Sequence, residues 1–156
     1  MLYKSLIDTI GNTPLVEISN LNPNKNVKIY AKLEGFNPTG SVKDRIAKYM
    51  IESAEKEGIL SKDKVLLEPT SGNTGISLGM IARIKGYKLV AVMPESMSVE
   101  RREILKAFGV EIVLSPGDEG TNGAIRVAKK MVEENNNYIM LDQYSNPNNP
   151  GAHYYT

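Results

Sequence analysis

Short apolar segments alternate with amphipathic ones from about residue 64 to residue 142, and this alternation is the strongest constraint on the fold. The apolar segments, each followed by turn residues, predict buried strands at 65–68, 89–93, 111–114 and 138–141. The stretches between them have helical spacing of apolar residues and predict helices at 76–85, 99–108 and 122–134. Strands joined in this way form a parallel sheet, so the sequence predicts an α/β fold with helices on both faces of the sheet.

The two ends of the chain are less regular. A helix is predicted at 42–57, and ahead of it the segments 16–18 and 27–33 predict two more strands. The helix separates these strands from the main run, which is consistent with a different sheet. The stretch 143–156 is rich in turn-forming residues, so we expect it to end without a closing helix or strand.

Composition excludes several classes of function. The 19 basic and 18 acidic side chains nearly balance, which argues against binding to nucleic acid or to a membrane surface. The absence of cysteine excludes disulfides and thiolate chemistry, and the single histidine, His153, is expected to have a surface or packing role, so no metal site is expected. No apolar run reaches the roughly 18 residues of a membrane span, and no signal peptide is recognised; we therefore expect a cytoplasmic location.

The loop at 69–75 (PTSGNTG) follows the first strand of the main run and leads directly into a helix. Its hydroxyls and the free N–H groups of the helix start converge, an arrangement that favours an anion. A simpler interpretation is an N-cap turn with Ser71 or Thr74 as the cap. The loop lacks the glycine patterns of dinucleotide and nucleoside-triphosphate sites.

A second candidate is Lys43. Ser41 and Asp44 have the spacing of a capping box, which predicts a helix that starts at residue 42. Lys43 then lies in the first turn, where the helix dipole disfavours an ammonium, and the neutral amine is the form that makes a Schiff base with a carbonyl. The alternative is a solvated lysine whose charge is offset by Asp44. Gln143 follows the last strand at the same sheet edge, where its amide suits either a bound carboxylate or a cap for the tail.

Five motifs occur in a fixed order: 11–15 (GNTPL), 37–45 (NPTGSVKDR), 68–75 (EPTSGNTG), 93–102 (MPESMSVERR) and 143–147 (QYSNP). Together they resemble cysteine synthase (O-acetylserine sulfhydrylase), a family of fold-type II pyridoxal-phosphate enzymes. The resemblance spans nearly the whole sequence but covers only the N-terminal half of the family's chains. It implies that residues 1–40 belong to a large domain, that 41–145 form a small mobile αβα domain, and that 146–156 begin the return to the large domain.

The resemblance also implies roles for individual residues. Lys43 matches the lysine that carries pyridoxal 5′-phosphate as a Schiff base and acts as the acid and base, and Asn73 matches the asparagine that binds the 3′ oxygen of the cofactor. The residues that match those holding the α-carboxylate of the substrate are Thr70, Ser71, Gly72, Thr74 and Gln143.

The implied reaction is a β-replacement that makes L-cysteine from O-acetyl-L-serine and sulfide. The implied partners are a second copy of the full-length chain and the C-terminal peptide of serine acetyltransferase. The family holds the cofactor's phosphate and ring nitrogen with residues of the second half, so we expect this chain alone to be inactive. The alternatives are an O-phosphoserine sulfhydrylase, a cystathionine β-synthase or, in another class, a non-catalytic truncated binding module.

Overall fold

A computed structural model describes residues 2–156. Its α-helices are Lys43–Lys56 (α1), Asn73–Lys85 (α2), Val99–Ala107 (α3), Gly120–Glu134 (α4) and Asn148–Tyr155 (α5). Its strands are Leu15–Glu17 (β1), Tyr30–Lys32 (β2), Val65–Pro69 (β3), Lys88–Pro94 (β4), Glu111–Ser115 (β5) and Tyr138–Met140 (β6).

The last four strands form one parallel sheet in the order β5-β4-β3-β6. Leu67 in β3 lies opposite Val90 of β4 on one side and opposite Met140 of β6 on the other. The helices α2, α3 and α4 connect successive strands, as expected for a parallel sheet. The predicted α/β architecture is confirmed. Because the carboxyl ends of these strands meet at one edge, the loops after β3 and β6 become neighbours.

Alternating side chains of the sheet enter two separate apolar clusters. Leu66 packs into the larger cluster with residues of α1 and α2, whereas Leu67 packs into a smaller one with Ala124 and Ala128 of α4. The period of two along a strand produces this division, and it accounts for strands that are apolar at consecutive positions. Helices therefore cover both faces of the sheet, as the sequence predicts.

The strands β1 and β2 pair with each other in a separate antiparallel sheet. Leu15, Val16 and Tyr30 in this sheet are all exposed. Ahead of β1, Ile7 and Ile10 are buried against the larger cluster, so this part of the segment is docked while the sheet after it is open to solvent.

The C-terminal stretch differs from expectation. The sequence predicts no closing helix, but α5 spans Asn148–Tyr155 and packs against α1, with Ala152 fully buried. Pro150 lies in the first turn of α5, where a missing backbone N–H breaks no helical hydrogen bond. The asparagines and prolines that suggest a turn therefore form a helix start.

Among residues 2–156, no helix combines the length and the apolar character needed to cross a membrane.

Candidate active site

Gln143 connects the loops that follow β3 and β6. Its side-chain Oε1 accepts a hydrogen bond from the Thr74 hydroxyl at 2.8 Å. Its Nε2 donates to the backbone oxygen of Pro69 at 3.3 Å, and its backbone oxygen accepts from Asn149 Nδ2 at 2.7 Å. The Gln143 amide therefore lies directly beside the loop at 69–75.

The start of α2 keeps its backbone donors free. The N–H groups of residues 71–74 make no hydrogen bond within the described part of the chain. The next N–H, that of Gly75, donates to the Thr70 hydroxyl at 3.1 Å. The alternative interpretation, a cap by Ser71 or Thr74, is wrong, because within residues 2–156 neither side chain bonds a first-turn N–H and the Thr70 hydroxyl accepts that of Gly75. Four free donors at the positive end of a helix dipole are suited to an anion.

Two glycines of this loop differ in the space that surrounds them. A Cβ on Gly75 would lie 2.9 Å from Thr70 Cγ2, so the close approach of the helix start to the Thr70 side chain favours glycine there. A Cβ on Gly72 would meet no atom of residues 2–156 within 4 Å. Gly72 is therefore not required by packing inside the chain, and its open surroundings leave the backbone accessible to a ligand.

Lys43 is the first residue of α1 and is half-buried. The Ser41 hydroxyl accepts its backbone N–H at 3.1 Å. Within residues 2–156, its side-chain amine forms neither a hydrogen bond nor an ion pair. The amines of several other lysines do have such partners. A primary amine without an internal partner is free to react with a carbonyl.

The capping box predicted from Ser41 and Asp44 forms only in part, and the helix starts one residue later than predicted. Asp44 does not accept the Ser41 N–H; its carboxylate accepts the Thr39 N–H at 2.8 Å and the hydroxyls of Thr39 and Ser77. Asp44 is fully buried, and Thr39 and Ser77 are the donors that satisfy it.

Because Ser77 belongs to α2, the Asp44 contact joins the starts of α1 and α2. Lys43 and Asn73 are the first residues of these two helices, so both candidates lie at the same end of the α/β unit. This end combines a free amine, a side-chain amide and a set of unpaired N–H donors. Such groups can hold a carboxylate and attach a carbonyl compound covalently.

A charged network holds the turn that precedes Lys43. Arg45 donates to both oxygens of Glu34, through Nε at 2.7 Å and Nη2 at 3.0 Å. This hydrogen bond, with others from Thr13 and Asn37, lowers the pKa of Glu34 to about 2 despite partial burial. Asn37, at the start of the turn, also accepts the Gly11 N–H at 2.9 Å. The network thereby attaches the N-terminal segment to α1.

The sequence patterns do not predict Glu68, which contacts the loop of the candidate site. It is the last residue but one of β3 and is 1% exposed. Its carboxylate accepts the backbone N–H groups of Gln143 at 2.9 Å and Asp142 at 3.1 Å. Burial raises its pKa to about 7, although these two hydrogen bonds act in the opposite direction. The signal in the sequence is an acidic residue at the end of an otherwise apolar strand.

Comparison with known proteins identifies the family. Residues 6–156 match the family described as pyridoxal-phosphate dependent enzyme. A cysteine synthase of Flavobacterium sp. is 52% identical over 98% of this chain and 50% of its own length. The crystal structure of a cysteine synthase from Entamoeba histolytica has a TM-score of 0.93 at 43% identity, over 99% of this chain and 47% of that one.

A hydrogen sulfide-producing enzyme from Fusobacterium nucleatum is also similar, with a TM-score of 0.88 at 48% identity over 100% of this chain and 51% of that one. The chain thus spans about half the length of the relatives it matches. The resemblance to cysteine synthases seen in the sequence motifs is confirmed. The chain belongs to the pyridoxal-phosphate-dependent enzyme family, whose cofactor is pyridoxal 5′-phosphate.

Proposed function

We propose that the chain is the N-terminal half of a cysteine synthase, which makes L-cysteine from O-acetyl-L-serine and sulfide by β-replacement. The observation that carries this proposal is the set of free N–H groups at residues 71–74. They lie beside the Gln143 amide and at the same end of the unit as the unpaired amine of Lys43. An amino-acid substrate presents the two groups that this arrangement suits, a carboxylate and a neighbouring amine.

Pyridoxal phosphate fits the groups that this chain supplies. The aldehyde of the cofactor requires a primary amine, and the side chain of Lys43 has no competing partner within residues 2–156. The Asn73 side chain is exposed at the adjacent helix start, where its amide would bind the cofactor's 3′ oxygen. When bound, the cofactor supplies an electron sink for charge that develops at the substrate Cα.

The chain's own residues would bind and orient the amino acid. The free N–H groups and the hydroxyls of Thr70, Ser71 and Thr74 would hold its α-carboxylate, with Gly72 open for close approach. The Thr74 hydroxyl, now bonded to Gln143 Oε1, would turn toward the carboxylate, and Gln143 Nε2 would donate from the opposite side. The Lys43 amine would then accept the proton from the substrate Cα and return it later.

The proposal extends to the partners that the family resemblance implies. The second half of the enzyme would hold the phosphate and ring nitrogen of the cofactor, so the 156-residue chain alone is expected to be inactive. The complete protein would be a cytoplasmic homodimer. The carboxylate site would also accept the C-terminal carboxylate of a serine acetyltransferase peptide.

The test is selective labelling of Lys43. The chain is mixed with pyridoxal phosphate, its visible spectrum is recorded, the adduct is reduced with borohydride and the modified lysine is mapped. We expect a defined absorption band and modification at Lys43, both lost in Lys43→Ala. The control Lys56→Ala removes a lysine from the last turn of the same helix and should leave the band and the labelling unchanged. Labelling spread over surface lysines would instead contradict a cofactor site that this chain's own residues form.

A further inference from the structure

We infer that Glu68 is a positioning residue, which orients Gln143 for the substrate carboxylate by holding the backbone of the loop after β6. This inference rests on the proposed function, because the orientation matters only if Gln143 meets a carboxylate. Glu68 itself is buried under the loop and does not touch the substrate; it acts through Gln143.

The geometry of the contact is specific. The two oxygens of one carboxylate take two consecutive N–H groups, those of Asp142 and Gln143, and so fix both peptide planes. Hydrogen bonds to a charged acceptor are about twice as strong as neutral ones. The carboxylate belongs to β3, an interior strand of the sheet, so the loop is attached to a strand that is paired on both sides.

The loop needs such a contact because of its backbone conformation. Asp142 has a φ of 53°, in the left-handed region that residues with a side chain seldom adopt. The strand β6 ends at Met140, so in the described part of the chain the pairing with β3 does not extend to Asp142 and Gln143. The Glu68 carboxylate supplies the missing acceptors and stabilises the turn that directs the Gln143 side chain toward Thr74 and Pro69.

The surroundings of Glu68 make this contact sensitive to protonation. The titratable groups that face it are Asp142 and Tyr144 on the loop itself, and the residue beside it on β4 is Ala91. The helix α2 carries its charged residues, Arg83 and Lys85, in its last turn. No cation of residues 2–156 pairs with Glu68. Because burial brings its pKa to about 7, a proton added near neutral pH removes one of its two acceptor oxygens.

The consequence is a carboxylate site that is ordered above neutral pH and loosened below it. Both N–H groups are held while Glu68 is ionised, and Gln143 then presents its amide in one orientation. Protonation releases one N–H group, so the Gln143 amide samples other orientations. Affinity for an amino-acid carboxylate should therefore rise as the pH rises through about 7.

The experiment uses the ¹⁵N-labelled chain and L-serine as the probe. In the wild type, the backbone amide signals of Asp142 and Gln143 should shift together between pH 5.5 and 8 with a midpoint at about 7. L-serine should bind about tenfold more tightly at the higher pH. Its binding is followed through the shifts of the amide signals of Thr74 and of the Gln143 side chain. Glu68→Gln should remove the shared titration and lower the affinity at high pH about tenfold, while Glu68→Asp restores part of both.

Glu95→Gln is the matched control. Glu95 follows β4 and accepts the Gly117 N–H at 3.3 Å, so it is also a carboxylate that holds a loop, but not the loop of Gln143. This variant should bind L-serine like the wild type at both pH values. The wild-type amide titration needs no variant, so the inference stays testable even if Glu68→Gln does not fold.

The outcomes separate the two proposals. L-serine binding that is independent of pH and equal in wild type and Glu68→Gln would overturn the positioning role and leave the proposed function intact. A wild type whose Thr74 and Gln143 signals do not respond to L-serine at either pH would overturn the carboxylate site itself, and with it this inference. Only the titration that Glu68→Gln removes counts in favour of Glu68, because other groups also titrate in this range.

Discussion

The two sheets of this chain place similar residues in opposite surroundings. Leu67 in β3 is fully buried between helices, whereas Leu15 in β1 is 63% exposed. Both are leucines in strands, so residue type does not decide their burial. The difference is the number of covering elements: β3 has a strand on each side and helices on both faces, whereas among residues 2–156 β1 pairs only with β2. An apolar strand therefore indicates a buried site only where the rest of the chain supplies its cover.

The two regions are also held by different forces. The parallel sheet is held by apolar contacts on both of its faces. The N-terminal segment docks partly through Ile7 and Ile10, and beyond them through the polar network of Arg45, Glu34 and Thr13. Apolar burial resists changes of pH, whereas a charged network depends on the ionisation of its members. Substitutions in the two regions should therefore differ in the size of their effect and in its dependence on pH.

The largest effect is expected in the parallel sheet. Leu67→Ala removes buried methyl groups between β3 and α4 and leaves a cavity, so the free energy of unfolding should fall by about 2–5 kcal/mol. Urea denaturation followed by circular dichroism measures the change. A loss of less than about 1 kcal/mol would mean that α4 collapses into the space and that this face of the sheet is loosely packed.

The same contrast explains which elements the sequence predicts well. The strands β3 to β6 lie within one residue of their predicted limits at every end, because a sheet with helices on both faces requires continuous apolar runs in its strands. The strand predicted at 27–33 is shorter, Tyr30–Lys32, because its partner β1 has only three residues. The residues of a strand do not indicate how long its partner strand is, so they do not predict where the pairing ends.

The candidate site is predicted unevenly for a similar reason. Lys43 and the loop at 69–75 stand out because helix starts have local signals. The partners of Asp44 and the role of Glu68 depend on Ser77 and Gln143, which are 33 and 75 residues away in the chain. Contacts of that range follow from the topology of the sheet and have no local pattern.

The next effect is a pH dependence that belongs to the parallel sheet despite its apolar core. The pKa of Glu68 rises from its ordinary 4.5 to about 7 on folding, so the folded state holds the proton more tightly. Its contribution to stability is therefore fully present below pH 4.5 and is lost as the pH rises through about 7. Over this range we expect the wild type to lose roughly 3 kcal/mol relative to Glu68→Gln.

Thermal or urea unfolding of both proteins across this range measures that difference. Parallel pH profiles for wild type and Glu68→Gln would contradict the raised pKa. As the pH rises through about 7, the free energy of unfolding should fall while the affinity for the ligand rises. The ionised carboxylate destabilises the folded state because it is buried, but it orders Gln143.

A smaller effect is expected at the junction of the two regions. Arg45→Met keeps most of the side-chain volume but leaves Glu34 without its cation, and should cost roughly 2 kcal/mol at neutral pH. Hydrogen exchange should show lost protection at the Gly11 amide, which bonds Asn37, while the amide of Val90 in β4 stays protected. An equal loss of protection at both amides would mean that the two regions unfold as one unit.

The sign of the pH effect is reversed at this junction. The pKa of Glu34 falls to about 2 on folding, so its contribution is present above the ordinary value of 4.5 and is lost as the pH falls toward about 2. In Arg45→Met, this acid dependence should shrink, because the hydrogen bond from Arg45 is the largest cause of the low pKa. Acid unfolding of both proteins, followed between these pH values, compares them directly.

The smallest effect is expected in the open sheet. Leu15→Ala removes the same methyl groups as Leu67→Ala, but from a side chain that is largely in contact with water. The free energy of unfolding should therefore change by no more than about 0.5 kcal/mol. The same urea denaturation measures it, at several protein concentrations. A loss above about 1 kcal/mol that grows with concentration would show that a second copy covers β1 in solution, and the contrast between the two sheets would then hold only for the isolated chain.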